Sequence, residues 1–173
     1  MIGTAILCHG SDSGPGATKV SALAKAAEAL GWQALRLDFR ADDQHGYAPA
    51  VPLRVAKIVA AMRVASRPLV LAGSSMGAFT CGLASLQAAC DGVFLIALPT
   101  MIPECPQSFD MARDVPAMLV HGYEDSLCPV LAAQAFARSR GMPALLLPGG
   151  HRLADQVPVI ERAFGEFLET AVA

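Results

Sequence analysis

Leu69-Val70-Leu71-Ala72-Gly73-Ser74-Ser75-Met76-Gly77 is the stretch on which the fold turns. An apolar run ending in glycine reads as a buried strand, and the small, mostly apolar residues 76–89 read as a helix laid against a sheet. The five residues at the junction match G-x-S-x-G. So sharp a strand-to-helix turn forces its central serine into a strained backbone conformation, and flanking glycines remove the side chains that would clash. Ser75 Oγ then stands exposed above the sheet at a helix N-terminus, whose dipole favours developing negative charge. A glycine-rich turn carrying an ordinary serine is the plain alternative.

Outward from this turn, short apolar runs alternate with helical patterns along the whole chain. The runs are residues 2–8, 33–39, 68–73, 93–98, 117–121 and 144–147. Most are uninterrupted, as expected for parallel strands covered on both faces. Helical patterns occupy 17–30, with Gly31 as a stop, 51–64, with Pro52 in a first turn, 76–89, 129–140 and 157–171. Strand and helix in alternation predict an α/β fold with a mainly parallel sheet. No repeat, low-complexity tract or linker interrupts it, so one domain over residues 1–173 is expected.

Ligands of such sheets bind at the carboxyl ends of the strands. The residues found there are polar and chemically capable: His9-Gly10-Ser11-Asp12, Asp38-Phe39-Arg40, Ser74-Ser75-Met76, His121-Gly122-Tyr123-Glu124-Asp125 and Gly149-Gly150-His151. Serine is a weak nucleophile at neutral pH and needs a base oriented by a third group. Of four histidines, His9 and His121 precede glycine at strand ends, a place for structural hydrogen bonds, and His45 lies in the polar loop 41–48. His151 follows two glycines that let a loop carry its ring across the sheet edge, which makes it the preferred base. Asp125 is the preferred acid, accepting the second ring N–H, with its neighbour Glu124 as the rival.

The order Ser75, Asp125, His151 resembles that of the α/β-hydrolases. The chain is similar to the small lidless members, dienelactone-hydrolase-like and carboxylesterase-like. Four segments carry the likeness: His9-Gly10, Gly73-Ser74-Ser75-Met76-Gly77, His121-Gly122 with Asp125 and Pro129, and Gly150-His151. The resemblance implies a serine hydrolase acting on ester or thioester bonds through an acyl-enzyme. It also implies an oxyanion hole of backbone amides, from Met76 and from the loop after the first strand, where Ser11 is preferred to Asp12. No metal or organic cofactor is implied. The chain opens directly on the strand leading to His9, without two strands common in this fold, so six strands in the order 2-1-3-4-5-6 are expected. Helices are expected on both faces. The segment 101–115, where relatives insert a cap, is short and broken by Pro103, Pro106 and Asp110, so no cap domain is predicted. An open site suits small or accessible acyl groups.

Composition excludes other classes. The 173 residues carry 13 basic and 15 acidic side chains, a net charge of −2, which lacks the basic stripe of a nucleic-acid binder. The chain is 54% apolar, too much for disorder. The longest apolar run, around 93–98, is far short of the ~20 residues of a membrane helix. With no basic leader either, a cytoplasmic protein is expected, acting on a small molecule rather than on nucleic acid or membrane. The five cysteines are scattered without ligand spacing, and Cys8 and Cys81 read as small core residues. Two rival functions remain. Gly10 to Gly16 and Asp38 imitate a dinucleotide-binding turn, but the Tyr-x-x-x-Lys pair of short-chain dehydrogenases is missing after both Tyr47 and Tyr123. A hydrolase fold kept as a silent binding module is the other.

Overall fold

A computed structural model describes residues 1–171; the expected domain ends on Val172 and Ala173, which lie outside the described residues. Six strands form one sheet: β1 (Thr4–Cys8), β2 (Gln33–Leu37), β3 (Leu69–Ser74), β4 (Gly92–Ile96), β5 (Ala117–Gly122) and β6 (Ala144–Leu147). Every pairing is parallel, and the order is β2-β1-β3-β4-β5-β6. Register aligns the carboxyl ends, with Cys8 beside Gly73, Ser74 beside Ile96 and Gly122 beside Leu147.

The uninterrupted apolar character of the central strands follows from having a core on each side. Ala5, Leu7, Val70, Ala72, Phe94 and Ile96 face α1 (Thr18–Ala29) and α6 (Val157–Thr170). Ile6, Cys8, Leu69, Leu71, Val93 and Leu95 face α3 (Tyr47–Val64), α4 (Met76–Ser85) and α5 (Val130–Ser139). Cys8 and Cys81 are fully buried there. Only the edge strands β2 and β6 break the pattern, with Gln33, Arg36 and Ala144 exposed. Alternate residues of one strand thus feed two separate apolar layers.

Most element ends lie within two residues of the sequence reading, and three features differ by more. The loop predicted over 41–48 contains the short helix α2 (Arg40–Asp43), and α3 begins at Tyr47 rather than at residue 51. Pro49 therefore takes the first turn, where amides have no intrahelical acceptor, and Pro52 lies inside the helix. The helix expected to run to 89 ends at Ser85. There the chain turns into β4, and Asp91 holds the turn by accepting the Leu69 amide at 2.6 Å and donating its own to Leu69 O at 2.7 Å. Between β4 and β5 no cap domain is inserted; the connection folds back on the core through Ile102, Phe109 and Met111.

Candidate active site

Ser75 occupies φ 55°, ψ −122° between β3 and α4, a conformation costly for any residue with a side chain. The flanking glycines are required by close approach. A Cβ on Gly73 would lie 2.4 Å from the Gly77 carbonyl, and one on Gly77 would lie 2.2 Å from Cys8 O. Helix α4 thus starts in backbone contact with the ends of β1 and β3, and the Ser75 amide is fixed to Ile96 O at 2.9 Å.

His151 reaches Ser75 from the loop after β6. Its Nε2 lies 3.0 Å from Ser75 Oγ, and its Nδ1 lies 2.8 Å from Asp125 Oδ2. Asp125 stands in the turn after β5, 6% exposed, and its Oδ1 accepts the amides of Leu127 at 3.0 Å and Cys128 at 2.8 Å. Those two donors fix the carboxylate, which leaves Oδ2 for the imidazole and favours the tautomer with Nε2 free to accept from the serine. The Glu124 side chain is exposed and makes no hydrogen bond to His151, and its backbone amide donates to Gly149 O at 3.0 Å.

The other histidines have separate duties. His9 is fully buried; its Nδ1 donates to Gly10 O at 2.6 Å and its Nε2 accepts the Phe39 amide at 3.0 Å. Burial pushes its pKa below the ordinary histidine value, so the ring stays neutral. His121 donates from Nε2 to Cys128 O at 2.8 Å, which leaves Nδ1 buried without a partner. His45 is exposed in the turn between α2 and α3.

Ser11 and Met76 line the same cleft as Ser75 and His151, about 810 Å³ in volume. Gly10 lies against Ser75, since a Cβ there would be 3.4 Å from Ser75 Cβ. Among the described residues, neither the Ser11 nor the Met76 amide donates to a protein acceptor, and the same holds for Asp12. Asp12 also takes a left-handed φ of 56°, and its carboxylate accepts the Tyr47 hydroxyl at 2.8 Å.

Sequence reasoning missed Arg54. This side chain is fully buried, pairs with Asp43 at 2.6 Å, and donates to His9 O at 2.7 Å and Gly10 O at 3.1 Å. It holds the loop that carries Ser11. Its signal was an arginine within the apolar stripe of Val51, Val55, Ile58 and Met62. Asp38, the imitation ribose carboxylate, is paired with Arg40 at 2.6 Å, and chiefly that hydrogen bond holds it well below the usual carboxylate range.

Asp125, Cys128 and His151 form a cluster whose donor atoms lie within 4.8 Å of one another. Burial, reinforced by the Asp125 charge, pushes the Cys128 thiol up to about 12, so it stays protonated. The carboxylate and imidazole are already engaged with each other. The set fits a hydrogen-bonded network better than a metal centre, which needs deprotonated ligands.

A protein from Xanthomonas campestris pv. campestris, described as a hydrolase of the α/β superfamily by likeness, superposes on this chain with a TM-score of 0.92 and 39% identity. The match covers 97% of this chain and 99% of that one. Est1E from Butyrivibrio proteoclasticus, in a structure with ferulic acid bound, matches with a TM-score of 0.79 at 18% identity over 98% of this chain and 89% of its own. A lidless α/β serine hydrolase, also from Xanthomonas campestris, matches at 0.75 and 20% identity over 98% and 83%. These last two share the fold alone. No protein-family model and no curated protein sequence matches the chain.

Proposed function

The chain belongs to the α/β-hydrolase superfamily, and from that premise we propose that it is a serine hydrolase cleaving esters or thioesters of small or accessible acyl groups. The observation that carries this reading is the unbroken chain of hydrogen bonds from Asp125 through His151 to Ser75. Ser75 Oγ attacks the scissile carbonyl carbon while its proton passes to His151 Nε2. The resulting imidazolium is stabilised by Asp125, and the oxyanion lies toward the amides of Met76 and Ser11. Collapse breaks the carbon–oxygen or carbon–sulfur bond, and the leaving group takes the proton from His151. Water, deprotonated by the same imidazole, then adds to the acyl carbon; the bond to Ser75 Oγ breaks, His151 returns the proton to that oxygen, and the carboxylic acid leaves. Each amide aimed at the oxyanion is worth about 3 kcal/mol of barrier in such sites. We place the protein in the cytoplasm, acting on a small molecule; among the described residues no helix is long and apolar enough to cross a membrane.

The test is labelling by a fluorophosphonate, which phosphonylates only an activated serine. The expected result is one adduct, on the peptide holding Ser75, and none in a folded Ser75→Ala variant, together with a loss of ~10⁴-fold or more in ester turnover. A folded wild-type protein that neither labels nor turns over esters would instead be a silent binding module.

A further inference from the structure

The cleft is chemically asymmetric across the edge of the sheet. On the side of α3 to α5 it is lined by Met101, Ile102 and Pro103, with Ile102 rooted in that apolar layer. On the side of α1 and α6 it is lined by Lys19 and Arg152, next to Val20 and Leu153 of the opposite layer. Lys19 Nζ donates to Arg152 O at 2.6 Å, which places an ammonium one residue from His151. An ammonium has three protons to donate, so this bond leaves two.

Neither cation pairs with a carboxylate among the described residues, whereas Lys25 on the same helix pairs with Glu161 at 2.8 Å. Among the described residues the one carboxylate lining the cleft is Asp12, which accepts the Tyr47 hydroxyl and forms a salt bridge with neither cation. Burial holds Lys19 below the ordinary lysine range, with Arg152 adding to the effect and Asp125 opposing it. Two like charges lie beside the base in a protein whose net charge is −2. An arriving anion relieves both the desolvation and the mutual repulsion.

We propose that the cleft selects esters whose leaving group carries a carboxylate, held by Lys19 and Arg152. The inference rests on the serine-hydrolase reading. The side follows from the chemistry: His151 returns its proton to the departing oxygen, so the leaving group lies beside His151, where the two cations are. The apolar wall at Met101 and Ile102 is left to the acyl chain.

The experiment compares 4-carboxyphenyl butyrate with its neutral amide analogue, 4-carbamoylphenyl butyrate, on the full chain at low ionic strength. The expected result is a preference of about tenfold in kcat/KM for the carboxylate, from one partly buried and one exposed cationic contact. It should shrink in about 0.5 M salt. In Lys19→Gln/Arg152→Gln the preference should fall to about twofold or less. The ratio of two substrates on one enzyme cancels any general loss of active protein. Should the double variant fail to fold, the exposed Arg152→Gln alone must lower the ratio. Equal rates for the two esters in the wild type, or a ratio unmoved in the variants, overturn the inference while the hydrolase reading stands. So does a preference for 4-nitrophenyl hemisuccinate over 4-nitrophenyl butyrate without one for the carboxyphenyl ester, which would put the charge on the acyl side. No turnover of any ester overturns the hydrolase reading and this inference with it.

Discussion

At the residue scale, the arrangement depends on which atoms are already committed. Asp125 Oδ1 is occupied by two backbone amides, so Oδ2 alone orients His151. Asp125→Asn can present an N–H toward the imidazole and favour the wrong tautomer, so kcat should fall by about 10⁴-fold with the fold intact. Glu124→Gln, on an exposed side chain, should leave kcat within about twofold; steady-state kinetics on the same ester decide between them. These residues were legible because a strand-end position and a residue type together imply a role. His9 was legible only as a structural histidine, and its partner Phe39 was not, because a backbone amide leaves no trace in sequence. Its lowered pKa has a sign that can be checked. The folded state keeps His9 neutral, while the unfolded chain takes up a proton near ~6.5. The contribution is therefore fully present above that pH and is lost as pH falls below it, by up to ~1.4 kcal/mol per unit for the one proton. Urea unfolding at about pH 7.5 and 5.5 should show a shallower loss in His9→Gln than in the wild type, although that variant starts from lower stability.

At the element scale, the strained serine is held because α4 is pressed onto the end of β1. The contact is backbone to backbone, with no side chain able to give way: a Cβ on Gly77 meets Cys8 O at 2.2 Å and Cys8 C at 2.7 Å. Gly77→Ala must push the helix off the strand, and we expect a loss of about 3 kcal/mol in unfolding free energy. Gly16→Ala is the control, since a Cβ there meets nothing within 4 Å; it should change stability by no more than about 0.5 kcal/mol in the same urea titration. The need for glycine was readable from the G-x-S-x-G spacing. The early start of α3 was not, because Pro49 and Pro52 both signal a helix beginning and only tertiary packing chooses between them. Arg54 exerts its effect through that choice: from α3 it reaches Asp43 on α2 and the carbonyls of His9 and Gly10. A salt bridge from the expected helix 51–64 to Asp43, in the segment expected to be a loop, leaves no signature in either stretch of sequence.

At the scale of the whole molecule, the strand order came with the resemblance to the α/β-hydrolases, whereas the parallel sheet and the two-layered core were legible because parallel strands buried on both faces must be apolar throughout, and because crossovers of this length are helical. The direction in which the cleft opens was not, since it depends on where the connection from β4 to β5 folds. That connection anchors Ile102, Phe109 and Met111 in the core and inserts no cap, while Met101 and Leu127 at the rim of the cleft stay largely exposed, at 69% and 73%. An acyl chain leaving the nucleophile therefore meets a short apolar wall and then water. Each methylene that is buried gains about 0.8 kcal/mol, and each one beyond the wall gains almost nothing. Across 4-nitrophenyl esters from acetyl to dodecanoyl, kcat/KM should rise over the first few carbons and then level or fall. Nothing in this architecture has to open at a lipid surface, so the rate on the longer esters should show no upward break as they pass from monomers to micelles. A steady rise to the longest chain, or a jump at the onset of micelles, would require an apolar channel or a moving cover that the fold around Ile102 and Phe109 does not provide.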